Sequence, residues 1–227
     1  MQFTAFDTSD ELARWLAREV AARLSAAIGS RGRALLAVSG GSTPVRFFRA
    51  LSSAEIDWHK VWVTLADERF VPPNSTRSNQ RLVTVELLQG RAAKAHFIPL
   101  FSDGGIDAAA RDAEEALKAQ LPIDVLVLGM GKDGHTASLF PGAEGLAEAS
   151  RAEGKRQILP IVADAAGEPR LTLTLAAIAA SHTQFLHLEG QEKRAVFEQA
   201  QAPGDPGHLP IRFVLQQCPD LRVVWSA

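Results

Sequence analysis

Short apolar runs, each too short for a helix and each delivering the chain into glycines or charges, recur at Ala34–Val38, Val61–Leu65, Val125–Leu128 and Thr183–Leu188. Such runs read as strands buried on both faces. Segments of helical character lie between them. Thr8-Ser9-Asp10-Glu11 is a capping box, and Leu12, Trp15, Leu16, Val20, Leu24 and Ile28 then recur at helical spacing until Gly29 and Gly32 end the helix. Pro44 suits the first turn of a helix over Val45–Leu51, and Ser78 or Asn79 caps one carrying Leu82, Val85, Leu87 and Leu88. Further helices are expected over about 106–120, 175–180 and 211–217, and after Gly190. Further strands are expected at His96–Leu100 and Leu221–Trp225, with Ile158–Val162 at a sheet edge because Pro160 is tolerated there. Arg170–Thr174 alternates with period two. Strand and helix therefore alternate along the chain. That pattern predicts one α/β domain over residues 1–227, a Rossmann-like, mostly parallel sheet with helices on both faces.

In such a sheet, ligands bind outside the carboxyl ends of the strands. After Val125–Leu128 that place is occupied by Gly129-Met130-Gly131-Lys132-Asp133-Gly134-His135. The glycines let the backbone take positive φ and pass close to a ligand. A lone G-x-G carries little information, but an Asp two residues before a His can fix the imidazole tautomer and raise its basicity. After Ala34–Val38 the same place holds Ser39-Gly40-Gly41-Ser42-Thr43-Pro44, where glycines and hydroxyls meet a helix N-terminus and form an anion cradle. After Val61–Leu65 come Asp67-Glu68-Arg69, and then an irregular stretch to Asn79 that is long enough to be functional.

Composition removes other classes. The chain has 227 residues, 46% of them hydrophobic, and a net charge of −2 with acids and bases interspersed, so no basic face for nucleic acid stands out. A single cysteine, Cys218, excludes an intrachain disulfide. The first ten residues hold neither a basic stretch nor an apolar run, and no later run approaches membrane-spanning length, so a cytoplasmic protein is expected. The six histidines stand apart without an H-E-x-x-H motif, and no third glycine follows Gly131 in register; neither metal nor dinucleotide is expected. There is also no G-x-S-x-G elbow for a covalent serine.

Taken in order, the motifs resemble the family shared by glucosamine-6-phosphate isomerases and 6-phosphogluconolactonases. They are S-G-G-S-T-P at 39–44, D-E-R at 67–69, S-N at 78–79, G-M-G-x-D-G-H-T-A-S-L-F-P at 129–141, R-L-T-L-T at 170–174, and Lys193 after a strand and a glycine. The resemblance implies that the substrate's phosphate is held by Gly41, Ser42 and Thr43 with Arg170 and Lys193. Within the family the lactonase branch is the better match. Thr136-Ala137-Ser138-Leu139-Phe140-Pro141 stands where the deaminases place a further Glu. Arg69 stands where they carry a tyrosine, and the chain contains no Tyr at all. Many lactonases read H-S-N where this chain has Arg77-Ser78-Asn79.

The implied reaction is hydrolysis of 6-phospho-D-glucono-1,5-lactone, with His135 as base and Asp133 orienting it. Asp67 and Arg69 are expected to line the sugar end, and Arg77 and Lys132 are further groups able to touch substrate. No cofactor is expected. The partner is a small sugar-phosphate lactone, with no nucleic acid and no membrane, and a monomer is favoured. Two other readings stand beside this one: an amino-sugar-phosphate deaminase or isomerase, and a non-catalytic sugar-phosphate sensor.

Overall fold

The computed structural model describes the backbone of residues 1–227 and every side chain except that of Ala165. In its first half the elements are β1 (Gln2–Phe6), α1 (Ser9–Arg31), β2 (Ala34–Val38), α2 (Val45–Ser52), β3 (Val61–Leu65), β4 (Asp67–Arg69), α3 (Asn79–Glu86), β5 (His96–Phe97) and α4 (Ile106–Lys118). The second half adds β6 (Val125–Leu128), α5 (Leu146–Ala149), β7 (Ile158–Ile161), β8 (Arg170–Leu173), α6 (Leu175–Ala179), β9 (Thr183–Glu189), α7 (Gln191–Gln201), α8 (Ile211–Gln217) and β10 (Arg222–Ser226).

Seven strands form one parallel sheet in the order β1-β10-β9-β6-β2-β3-β5. Its central strands β2 and β6 are buried along their whole length, which is why they read as unbroken apolar runs. Helix α1 packs on α2 and across β1, β10, β6 and β2. Because crossovers between parallel strands are right-handed, the connections that travel the other way along the sheet, through α7 and α8, cover the opposite face. The local signals explain the helix ends. Thr8 Oγ1 accepts the Glu11 amide at 3.2 Å, and Gly32 closes α1 in a left-handed conformation, while the helix runs straight through Gly29.

The chain builds β2, β3 and β5 outward in one direction and β6, β9 and β10 in the other, so the order reverses between β2 and β6. An open parallel sheet leaves a crevice at such a reversal, outside the carboxyl ends of the strands.

Three features differ from the sequence expectation. Strand β1 pairs parallel with β10, although residues 2–6 carry no periodic signal and stay largely exposed. Of the strand expected over His96–Leu100, only His96 and Phe97 pair. And β4, β8 and β7 form a separate antiparallel sheet of three strands. Pro160 lies on its edge strand, as its missing N–H requires. Strand β8 is buried on both faces, so its apparent alternation is not an inside–outside pattern.

Candidate active site

The turns that leave β2 and β6 meet at the reversal point and are stapled together. Ser39 donates its amide to Val127 O at 2.9 Å, and Ser39 Oγ accepts the Gly129 amide at 3.2 Å. In the first turn Gly41 has φ of 89°, a left-handed backbone that glycine takes without the strain a side chain would bring. Among the described residues, the amides of Gly41, Ser42 and Thr43 donate to no other protein group. Free amides just ahead of a helix form a cradle for an anion. Lys193, in the first turn of α7, reaches across and donates from Nζ to Thr43 Oγ1 at 3.0 Å. Burial pulls the Lys193 ammonium below its ordinary value, and Lys132 adds to this while Glu189 opposes it.

The second turn is built differently. The Gly131 amide donates to His135 O at 2.9 Å and the Gly134 amide to Gly131 O at 3.1 Å, closing a tight loop around Asp133. A Cβ at Gly131 would run into the His135 ring and the Asp133 carboxylate, so only glycine lets them lie against this backbone. Asp133 Oδ1 sits 2.5 Å from His135 Nδ1 and also accepts the His135 amide at 3.2 Å. Partial burial works to raise the Asp133 carboxyl, but the hydrogen bond and charge of His135 outweigh it and hold the group below its ordinary range. An ionised Asp133 places the imidazole proton on Nδ1 and leaves the Nε2 lone pair free. That nitrogen has no protein hydrogen-bond partner among the described residues, and the ring face rests on Phe140 at 4.2 Å between centroids.

Residue 137, two positions beyond the histidine, is the non-glycine with positive φ (48°) among the described residues. A left-handed alanine costs roughly 1–2 kcal/mol. The strain is held in place by its neighbours. Thr136 Oγ1 donates to Gly129 O at 2.8 Å, the Ser138 amide donates to Thr172 Oγ1 at 3.0 Å, and Ser138 Oγ donates to Asp67 Oδ2 at 2.6 Å.

The small sheet supplies the third wall. Asp67 is buried, with Arg170 Nη1 3.6 Å from its Oδ2. Arg170 also donates from Nη2 to Ala166 O at 3.0 Å and lies over the Phe140 ring; its Nε is buried with no partner. Burial lowers the Arg170 pKa, with Asp67 acting against it. Arg69 faces Arg170 directly across the β4–β8 register, and its Nε is buried and unpartnered too. Two like charges in opposed positions repel, an arrangement that favours an anion between them.

These walls enclose a cleft of about 250 Å³. The structure brings Gly41, Ser42, Thr43, Asp67, Arg69, His135, Arg170 and Lys193 into its lining, and Asp133 stands directly behind the histidine. It does not bring in Lys132 or Arg77. Lys132 points to solvent and pairs with Glu192, while Arg77 pairs with Glu168 at 2.7 Å beyond the end of the cleft. Asn79, which sequence reasoning used only as a cap and as part of a motif, is buried in the cleft wall. His187 also lines the cleft and was not anticipated. It is buried on β9 with Nε2 3.1 Å from Glu189 Oε1, and burial pulls its pKa down although Glu189 pulls it up. A lone histidine inside an apolar run gives no sign of this. Among the described residues no group of three His, Cys, Asp or Glu side chains gathers as a metal site would require.

Comparison with known proteins points to one group. Residues 7–225 match the family model described as glucosamine-6-phosphate isomerases/6-phosphogluconolactonase. A 6-phosphogluconolactonase of Mesorhizobium japonicum is 52% identical over 227 residues, covering 99% of this chain and 94% of that protein. One from Rhizobium meliloti is 49% identical over 97% of each. The crystal structure of a 6-phosphogluconolactonase from Shewanella baltica superposes with a TM-score of 0.96 at 42% identity, covering 100% of this chain and 98% of that one.

Proposed function

The chain belongs to the glucosamine-6-phosphate isomerase/6-phosphogluconolactonase family, and on that footing we propose that its cleft hydrolyses 6-phospho-D-glucono-1,5-lactone to 6-phosphogluconate, the second step of the oxidative pentose phosphate pathway. One observation carries this reading: an imidazole with a free Nε2 and an anion cradle of unpaired amides line the same small cleft.

The residues divide the work. The amides of Gly41, Ser42 and Thr43 and the Lys193 ammonium hold the phosphate, with Arg170 closing the cationic wall. His135 Nε2 takes a proton from water as the water attacks C1, a contribution of about 10²- to 10⁴-fold. Asp133 keeps the ring in the correct tautomer and stabilises the imidazolium that forms. The protonated ring then gives its proton to the ring oxygen as the ester bond breaks. The glycine amides of the reacting turn are not available to the carbonyl oxygen, because those of Gly129 and Gly131 are already committed to Ser39 and His135. Asp67 and Arg69 line the sugar end of the cleft and contribute to binding the substrate. The enzyme works alone on its substrate, as a monomer in the cytoplasm; among the described residues no helix is long and apolar enough to cross a membrane.

The test is turnover of freshly made lactone, followed by proton release against the spontaneous rate, with glucosamine 6-phosphate assayed in parallel for ammonia. Lactone hydrolysis well above background and no ammonia is the expected result. Lactone hydrolysis at the spontaneous rate would overturn the proposal.

A further inference from the structure

Asp67, Glu68 and Arg69 make up the whole of β4, and the two-residue period of a strand sends the middle side chain to the opposite face from its neighbours. Asp67 and Arg69 reach the cleft. Glu68 turns away from it and is completely buried under the start of α3. There its Oε1 accepts the amides of Arg69 at 2.7 Å and Asn79 at 2.8 Å, and its Oε2 accepts the amide of Gln80 at 2.7 Å and the hydroxyl of Ser78 at 3.0 Å. A carboxylate at a helix N-terminus satisfies amides that the helix itself cannot.

The clamp holds Asn79, and Asn79 holds the cleft wall. Its Nδ2 donates to Asp67 O at 2.9 Å, its Oδ1 accepts from Arg69 Nη1 at 3.1 Å, and its side chain lies where any Cβ on Gly40 would collide with it. Arg69 Nη1 also donates to Arg77 O at 2.6 Å, one residue before the clamped helix end. Arg69 needs such restraint because Arg170 stands opposite it and repels it.

We propose that Glu68 is a positioning residue: it pins the first turn of α3 to β4, so that Asn79 and the Arg77 carbonyl keep the Arg69 guanidinium in the cleft wall against Arg170. The role concerns binding and so rests on the cleft being the lactone site, but its geometric core does not.

Glu68→Gln keeps the side chain's volume and replaces one accepting oxygen with a donor that faces backbone N–H groups. The expected result is a KM for lactone raised about tenfold, the loss of one charge-assisted hydrogen bond's worth, with kcat within about twofold. In an Arg69→Ala background the same change should add less than about twofold, because Arg69 is what Glu68 positions. A crystal structure of the variant should show Arg69 released from Asn79 Oδ1 and Arg77 O. Ser78→Ala removes one of the four contacts, together with the cap that Ser78 Oγ gives the Arg81 amide at 3.1 Å, and should shift KM in the same direction by about two- to threefold, which keeps the test open if Glu68→Gln does not fold. A folded variant that loses thermal stability while KM and the Arg69 position stay unchanged would overturn the proposal, as would full multiplication of the Glu68→Gln and Arg69→Ala effects. If the wild-type protein fails to hydrolyse lactone, the functional reading falls, and the position of Arg69 in the variant crystal still decides the clamp.

Discussion

The two turns at the reversal point begin alike, each a buried strand running into glycines, and they end up doing opposite things with their backbones. The turn after β2 keeps its amides unspent at Gly41–Thr43 and carries no titratable side chain. The turn after β6 spends its amides, that of Gly129 on Ser39 of the other turn and those of Gly131 and Gly134 within itself, and uses the rigidity to press Asp133 against His135. One turn is a receptor for charge that arrives with the substrate; the other is a mount for a side chain that moves a proton. Glycine content alone does not distinguish them. What distinguishes them is where the N–H groups go.

The largest effect should come from breaking the mount. His135→Ala should lower kcat by about 10³-fold while leaving KM within about threefold, since the cradle is untouched. Steady-state kinetics on fresh lactone would show it, and an unchanged kcat would take His135 out of the reaction. Breaking the cradle should give the complementary pattern. Lys193→Ala removes a half-buried ammonium bonded to Thr43 and should raise KM about 10- to 100-fold with little change in kcat. If kcat fell instead, the two turns would not be separable in function.

The smallest effect lies in stability, at His187, in the wall of the cleft. Its folded pKa is below the unfolded value of 6.5, so the unfolded chain takes up a proton first as pH falls. Stability is therefore undiminished above about 6.5 and declines below it, by at most about 1.4 kcal/mol per pH unit for one proton. His187→Gln keeps a donor toward Glu189 without titrating. Denaturant melts between pH 6.5 and 5, where ordinary carboxylates contribute little, should show a flatter slope for the variant.

Both turns were legible in the sequence because each follows an unbroken apolar run, and such runs are buried on both faces in a parallel sheet. Asp133 and His135 were legible because their two-residue spacing is short-range. The small antiparallel sheet was not, since β4 consists of three polar residues and its pairing with β8 depends on residues a hundred positions away. Glu68 was invisible for the same reason: inside D-E-R it looks like one more surface charge, and only the strand's alternation turns it inward. Lys132 and Arg77 show the opposite limit. Both sit in or beside the right motifs, yet other acids, the exposed Glu192 and the largely buried Glu168, pair with them outside the cleft.

The division between cradle and mount is tested most directly by a crystal structure with 6-phosphogluconate bound. The account predicts the phosphate on the amides of Gly41–Thr43 and on Lys193, with the C1 carboxylate about 3 Å from His135 Nε2. A product bound the other way round, phosphate against His135 and carboxylate in the cradle, would contradict it.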